Sequence, residues 1–289
     1  MSNQKLKTAV LPVAGLGSRF LPITKSIPKE MLPIIDKPLI QFAIEEAIAA
    51  GVEKIIFVTS HNKKAIKDYF SINSELEKKL IQSNKEDFVK KIHPKYLDKV
   101  TFSYVYQEEP NGLGHAILQA KDLVDDEFFG VILADDLLIN EIGCLSQLSN
   151  IHHESNSSVL AAFLAKPEKI SNYGVIDAVL DGNSYKLNNI VEKPKTEDAP
   201  SNLAVFGRYI LSKEIFYHLE KTNPGVNGEI QLTDAIKSLI EKDTVRAVEI
   251  AGKRFDCGSK EGYISAIIDR SLSIEKYKDA LKNIDWKFL

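Results

Sequence analysis

Gly15 and Gly17 follow a short apolar run, and Arg19, Lys25 and Lys29 come next in a loop punctuated by Pro22, Pro28 and Pro33. Glycines let a backbone approach an anion and take up positive φ. Successive N–H groups in such a turn form an anion-binding nest. Backbone donors with several cations close by suit a polyphosphate. The spacing is not the dinucleotide fingerprint, because Phe20 stands where that motif needs glycine, and no Gly-Lys-Ser/Thr follows as a P-loop requires. A Gly-x-Gly turn alone reads as structural; the basic, proline-rich loop behind it is what points to a triphosphate.

Four further constellations carry chemistry. Gln107, with Pro110, Gly112 and Gly114, offers an amide donor and acceptor that match the imide edge of uracil or thymine. The same cluster of Gly, Pro and Asn also reads as an ordinary loop. Asp135 and Asp136 end an apolar run, as ligands for Mg²⁺ or as a helix cap. Glu192 can accept from sugar hydroxyls, and Lys193 can pair with a sugar phosphate. Consecutive strand residues face opposite ways, so these two share a site only if the strand ends there, which Pro194 makes reasonable; otherwise they are a solvent-exposed pair. Asp256, before Cys257 and Gly258, reads by itself as a turn former. His115 reads as a satisfied helix-start histidine rather than a general base, and Cys257 as a packed residue rather than a nucleophile.

The elements that must position these groups alternate. Residues 8–14, 54–59, 100–106, 130–134 and 157–165 read as buried strands, with helices over 39–50, closed by Gly51, and over 113–124. Strand, helix, strand in that order is a βαβ unit and a parallel sheet. From about 172 the texture changes to antiparallel β, with two strand-like runs around Asp181-Gly182-Asn183. A strand over 203–211, helices over 213–221 and 231–242, a strand over 244–250 and a helical tail from 259 follow. Residues 71–99, rich in Lys and Glu, read as solvated surface helices.

Composition narrows the classes. The 289 residues are 44% hydrophobic and 27% charged, with net charge −3, which excludes a disordered or collagen-like chain and argues against a nucleic-acid binder. No stretch approaches the roughly 18 apolar residues of a membrane span, and the first apolar run is too short for a signal peptide. Cys144 and Cys257 lack zinc spacing and suit reduced thiols in a cytoplasmic protein.

The opening segment from Ala14 to Ile40 resembles the signature of the sugar-nucleotide pyrophosphorylases, a nucleotidyltransferase family. Gln107-Glu108-Glu109-Pro110-Asn111-Gly112-Leu113-Gly114-His115-Ala116, Val191-Glu192-Lys193-Pro194 and Asn227-Gly228-Glu229-Ile230-Gln231-Leu232-Thr233-Asp234-Ala235 resemble its UTP-using branch, in the family's order, to about residue 270. The resemblance implies a Rossmann-like α/β nucleotidyltransferase fold: a mostly parallel central mixed sheet, helices on both faces and a smaller antiparallel, sugar-binding part. It implies one domain over 1–289, with 1–165 mainly for nucleotide, 166–258 mainly for sugar phosphate and C-terminal helices over 259–289. It implies UTP and glucose 1-phosphate as substrates, UDP-glucose and pyrophosphate as products, Mg²⁺ as cofactor and a homo-oligomer, dimer or tetramer, without nucleic acid or membrane. By position it implies catalytic roles for Arg19, Lys29 and Lys193, and nucleotide contacts at Ala14, Gly15, Gly17, Glu30, Gln107, Pro110 and Gly112. Tyr173, Gly174, Glu192 and Lys193 would hold the sugar phosphate, and Asp135 and Asp256 the metal. Use of dTTP instead, or a weakly active regulatory paralogue, stays open.

Overall fold

A computed structural model describes residues 6–225 and 228–283; Asn227 of the motif above and the last residues of the tail, 284–289, lie outside the described residues. Strand β1 (Thr8–Pro12) leads into the glycine loop, which closes through 3-10 turns at Ser18–Phe20, Ile23–Lys25 and Lys29–Met31. A small ribbon of β2 (Pro33–Ile34) and β3 (Lys37–Pro38) precedes α1 (Leu39–Ala49) and β4 (Lys54–Thr59). Helices α2 (Lys64–Phe70), α3 (Ser74–Gln82) and α4 (Glu86–Ile92) come before β5 (Thr101–Tyr106). Neither α3 nor α4 buries a residue, in keeping with their charge.

Next come α5 (Leu113–Leu118), β6 (Phe128–Ile132), β7 (Asp136–Ile139), α6 (Cys144–Ser155) and β8 (Ser158–Leu164). The hairpin β9 (Gly174–Asp181) and β10 (Ser184–Glu192) turns through Gly182 at φ +67°, where L side chains are disfavoured. Strand β11 (Leu203–Ser212), helices α7 (Ile215–Lys221) and α8 (Leu232–Ile240), strands β12 (Val245–Glu249) and β13 (Lys253–Asp256), and helices α9 (Lys260–Leu272) and α10 (Glu275–Lys282) complete the chain.

One sheet of nine strands, ordered β5-β4-β1-β6-β11-β8-β12-β10-β9, runs through the molecule. Only β11 and β10 run against the others, so the parallel half and the antiparallel part join edge to edge. Strand alternation divides the core. Val10, Ile56 and Val131 face one side, under α5, α7 and α8; Ala9, Leu11, Ile55 and Ile132 face the other, under α1 and α6. Each fully buried Val, Leu or Ile among them contributes about 1.5–3 kcal/mol.

Several boundaries differ from the sequence expectation: the strand expected over 8–14 ends at Pro12, and the helices over 213–221 and 231–242 run over Ile215–Lys221 and Leu232–Ile240. The helix expected over 113–124 ends at Leu118 and resumes as a 3-10 turn at Lys121–Leu123. Val124 is core, and the chain must turn there to enter β6, so the last turn tightens. Strand β6 starts two residues earlier than its apolar run suggested and ends at Ile132, which frees Ala134 and Asp135 to leave the sheet. In the order β4-β1-β6 the chain reverses at β1, and α/β sheets bind ligands at the carboxyl ends of strands flanking such a switch point. The glycine loop follows β1 and Asp135 follows β6.

Candidate active site

Two cavities open at that end of the sheet and share Leu113, Leu133 and Asp135. The first is lined by Ala14, Gly15, Gly17, Lys29, Glu30, Gln107, Pro110 and Gly112. Gly17 stands at φ +66°, which favours glycine, and a Cβ there would press on Thr24 Cγ2 at 3.2 Å and Lys29 Cβ at 3.3 Å. Thr24 Oγ1 donates to the Gly17 carbonyl at 2.9 Å and ties the loop back on itself. Gly15 has nothing near its missing side chain and leaves open cavity.

Lys29 Nζ reaches Asp135 Oδ2 at 2.5 Å. The Asp135 charge raises the Lys29 pKa above the ordinary lysine value, against its burial. Burial opposes ionisation of Asp135, but the Lys29 charge and hydrogen bond hold its carboxyl below the usual range. Glu30 is 1% exposed and pairs with Lys63 Nζ at 2.9 Å; burial pushes its carboxyl up despite that partner.

Gln107 is buried, with Nε2 3.2 Å from the Gly112 carbonyl and 2.9 Å from His115 Nδ1. Gly112 has φ +101°, and a Cβ on it would meet Ile230 O at 2.7 Å. The Gly112–Gly114 segment is clasped there: Gly114 N–H donates to Ile230 O, and Ile230 N–H donates to Asn111 O.

The second cavity is lined by Arg19, Tyr173, Gly174, Glu192, Lys193, Thr233, Arg254 and Asp256, with Asp136. Strand β10 ends at Glu192, and Lys193 takes φ +43°, so the alternation breaks between them and both side chains reach one cavity. Lys193 Nζ lies 3.2 Å from Glu192 Oε1, and Thr233 Oγ1 donates to Glu192 Oε2 at 2.8 Å. A Cβ on Gly174 would strike Thr233 Cγ2 at 2.8 Å.

Asp256 reaches the floor because β13 pairs with β7 and sets it opposite Asp136. Cys257 N–H donates to the Asp135 carbonyl at 2.8 Å. A Cβ on Gly258 would lie 2.8 Å from Asp135 Oδ2 and 3.1 Å from Asp256 Oδ1, so these two carboxylates converge on one point. Asp136 is turned elsewhere: Oδ1 meets Arg254 at 3.1 Å and Oδ2 accepts from Gly207 N–H at 3.1 Å.

Residues 8–271 match the nucleotidyl transferase family profile. The chain belongs to the nucleotidyl transferase family. It is 46% identical over 264 residues to a UTP–glucose-1-phosphate uridylyltransferase of Pseudomonas aeruginosa, covering 90% of this chain and 94% of that one. A Bacillus subtilis protein of the same name is 43% identical over 279 residues, covering 96% and 95%. Among solved structures, the UTP-bound UGPase from Acinetobacter baumannii superposes with a TM-score of 0.90 at 40% identity, covering 97% of this chain and all of that one.

For this nucleotidyl transferase the sequence expectation and the geometry differ at one cation. Arg19 was expected beside the triphosphate with Lys29; it lines the second cavity instead, its guanidinium 3.4 Å from the Gly258 carbonyl. Sequence reasoning missed four groups. Thr233 was inside a quoted motif but had no role until β10 brought Glu192 to it. Arg254 stacks over Phe163 at 3.9 Å and Tyr173 at 4.8 Å and holds Asp136. Arg208 and Glu46 form a bidentate buried pair, at 2.9 and 3.0 Å. The same guanidinium donates to the carbonyls of Leu133 and Asp136, on either side of Asp135. No local signal marks that pair as part of a site. Cys257 is 1% exposed and burial pushes its thiol up to about 12, as befits a packed residue.

Proposed function

We propose that this chain joins UTP to α-D-glucose 1-phosphate and releases UDP-glucose and pyrophosphate, as a UTP–glucose-1-phosphate uridylyltransferase. The observation that carries the reading is the pair of cavities meeting at Asp135. One has a glycine loop, Lys29 and Gln107; the other has Glu192 and Lys193 on a strand end. The first suits a pyrimidine nucleoside triphosphate and the second a sugar phosphate. On this reading residues 1–165 serve mainly the nucleotide and 166–258 mainly the sugar phosphate.

A phosphate oxygen of the sugar phosphate attacks the α-phosphorus in line. The new P–O bond forms as the bond from the α-phosphorus to the bridging oxygen breaks, and pyrophosphate leaves with its electron pair. The attacking phosphate is already ionised at neutral pH, so neither a general base nor a covalent intermediate is needed. The obstacle is charge: two unit charges 4 Å apart repel by ~4 kcal/mol at an effective dielectric of about 20. Lys29 at the triphosphate, and Lys193 and Arg19 in the second cavity, offset it.

Asp135 and Asp256 fit Mg²⁺, since their oxygens converge and a hard cation accepts one or two carboxylates with substrate phosphates. Among the described residues no group of three or more His, Cys, Asp or Glu stands ready to hold a metal ion. Such an ion, when bound, supplies further charge neutralisation at the phosphates. Ile264, Ile268 and Leu272 face solvent along α9 and support an oligomer, dimer or tetramer, which sedimentation measures. No described helix is long and apolar enough to cross a membrane. The two free thiols suit the cytoplasm.

The test is pyrophosphate release with glucose 1-phosphate and Mg²⁺, running UTP and dTTP side by side. Strong release with UTP, poor release with dTTP and none with EDTA is the expected result. Equal release with dTTP would overturn the choice of base. Silence with both, in protein that still binds UTP, would make the chain a regulatory paralogue.

A further inference from the structure

Gln107 has one amide and two neighbours that constrain it. Its Nε2 faces the Gly112 carbonyl and His115 Nδ1, at 3.2 and 2.9 Å. Its Oε1 has no hydrogen-bond partner among the described residues, and the side chain lines the first cavity. A carbonyl only accepts, so the end that meets Gly112 O must be the NH₂. That carbonyl cannot drift, because Gly112 is clasped against Glu229 and Ile230. Both amide protons are then committed, one to Gly112 and one to His115. His115 Nδ1 must be a lone pair, and in a neutral imidazole the proton sits on Nε2.

That proton faces the Gln119 amide, 3.2 Å away. The two ends of a glutamine amide exchange by a half turn, and a donor at Nε2 selects the oxygen end. The turn also brings Oε1 to face the His115 carbonyl 3.3 Å away, two acceptors that small side-chain movement must separate. A chain of polarity thus runs from Gln119 through His115 to Gln107. It leaves Gln107 Oε1 as an acceptor aimed at the cavity.

We infer that His115 is a positioning residue for base choice: its Nδ1 takes the amide proton that the Gly112 carbonyl leaves over, so Gln107 meets the base as a pure acceptor and the site selects a pyrimidine with an imide N3–H over cytosine. Cytosine carries a lone pair at N3, which would oppose Oε1. This rests on the assignment of the first cavity to the pyrimidine, and it narrows that assignment. The free amide of Gln107 would offer a donor and an acceptor; the locked amide offers only the acceptor.

The test compares kcat/KM for UTP and CTP, with glucose 1-phosphate and Mg²⁺, in the wild type, His115→Phe, His115→Asn and Gln119→Leu. Phe keeps a ring but removes the acceptor, so one Gln107 amide proton loses its partner and can be offered to the base. The UTP:CTP ratio should fall about tenfold in His115→Phe, the order expected for one unsatisfied buried polar group. The loss should come through KM for UTP and a gain with CTP, not through kcat. His115→Asn should restore the ratio, because its amide oxygen stands near the place of Nδ1. Gln119→Leu should shift the ratio the same way by less.

An unchanged ratio in folded His115→Phe would overturn the inference. If that variant does not fold, an unchanged ratio in Gln119→Leu overturns it. Wild-type protein that binds UTP no better than a purine nucleotide would instead overturn the pyrimidine assignment itself.

Discussion

The two cavities hold their cations in different ways. On the nucleotide side Lys29 is three-quarters enclosed and already paired at 2.5 Å with Asp135, inside a loop whose shape is set by backbone and glycine. On the sugar side Lys193 is half exposed and only 3.2 Å from Glu192, at the frayed end of a strand. On the proposed assignment a triphosphate draws Lys29 away from a carboxylate, whereas a sugar phosphate meets a more exposed and more loosely paired cation. The difference follows from position in the sheet. The nucleotide side stands at the parallel switch point, where the loop after β1 folds back and sets Lys29 against Asp135. The sugar side stands where the antiparallel edge ends and side chains, not backbone, make the contacts.

What the two regions share is the segment carrying Asp135, and it is tied down by Arg208 and Glu46. The largest expected effect strikes both cavities at once. Glu46→Gln leaves the Arg208 guanidinium buried without its counter-charge, which costs about 3–5 kcal/mol. The urea midpoint should fall accordingly, with KM rising for both substrates in whatever protein stays folded. A midpoint within the error of the wild type would mean that the pair is not the common scaffold.

Next in size is Lys29→Ala. Removing one electrostatic donor of this kind costs about 10²–10³ in kcat, with the fold retained. Steady-state kinetics at saturating UTP measures it, and near-normal turnover would remove Lys29 from the chemistry. Lys193→Ala should cost less. Loss of a charged hydrogen bond is worth about 1.5–3 kcal/mol, or roughly 10–150-fold in kcat/KM. It should weigh on glucose 1-phosphate and leave the KM for UTP close to its wild-type value. Equal penalties on both substrates would erase the distinction between the two cavities.

The nucleotide side was the more legible in sequence for the same physical reason. Gly15, Gly17, Lys29 and Glu30 lie on one short loop, and their types and spacing carry most of their geometry. Glu192 and Lys193 were legible as types, but whether they share a face depended on where β10 stops, which Pro194 only hinted at. Arg208 and Glu46 are 162 positions apart. A buried arginine on a strand and a glutamate on a helix give no local pattern; only the sheet order brings them together. The start of β6 was misplaced because Asp125, Asp126 and Glu127 mask the first two phenylalanines of the strand. Arg19 was placed by its neighbours in sequence, while its side chain follows the turn at Phe20 toward Gly258.

The smallest expected effect concerns Cys257, which stands between Asp256 and Gly258 at the junction of both cavities. Its sulfur is sealed, and burial raises the thiol to about 12. A thiolate is the reactive form, so below that pH almost none exists in the folded protein. A thiol-specific disulfide reagent at pH 8 should therefore label Cys257 only as fast as the chain opens, and at once in denaturant. Its buried location next to two carboxylates serves packing alone, so Cys257→Ala should leave kcat within about twofold, with a stability loss of about 1 kcal/mol typical of a point substitution. Rapid labelling of native protein, or a collapse of turnover in Cys257→Ala, would show that the junction is open or reactive. The two cavities would then be joined by a mobile floor and not by the fixed one on which their comparison rests.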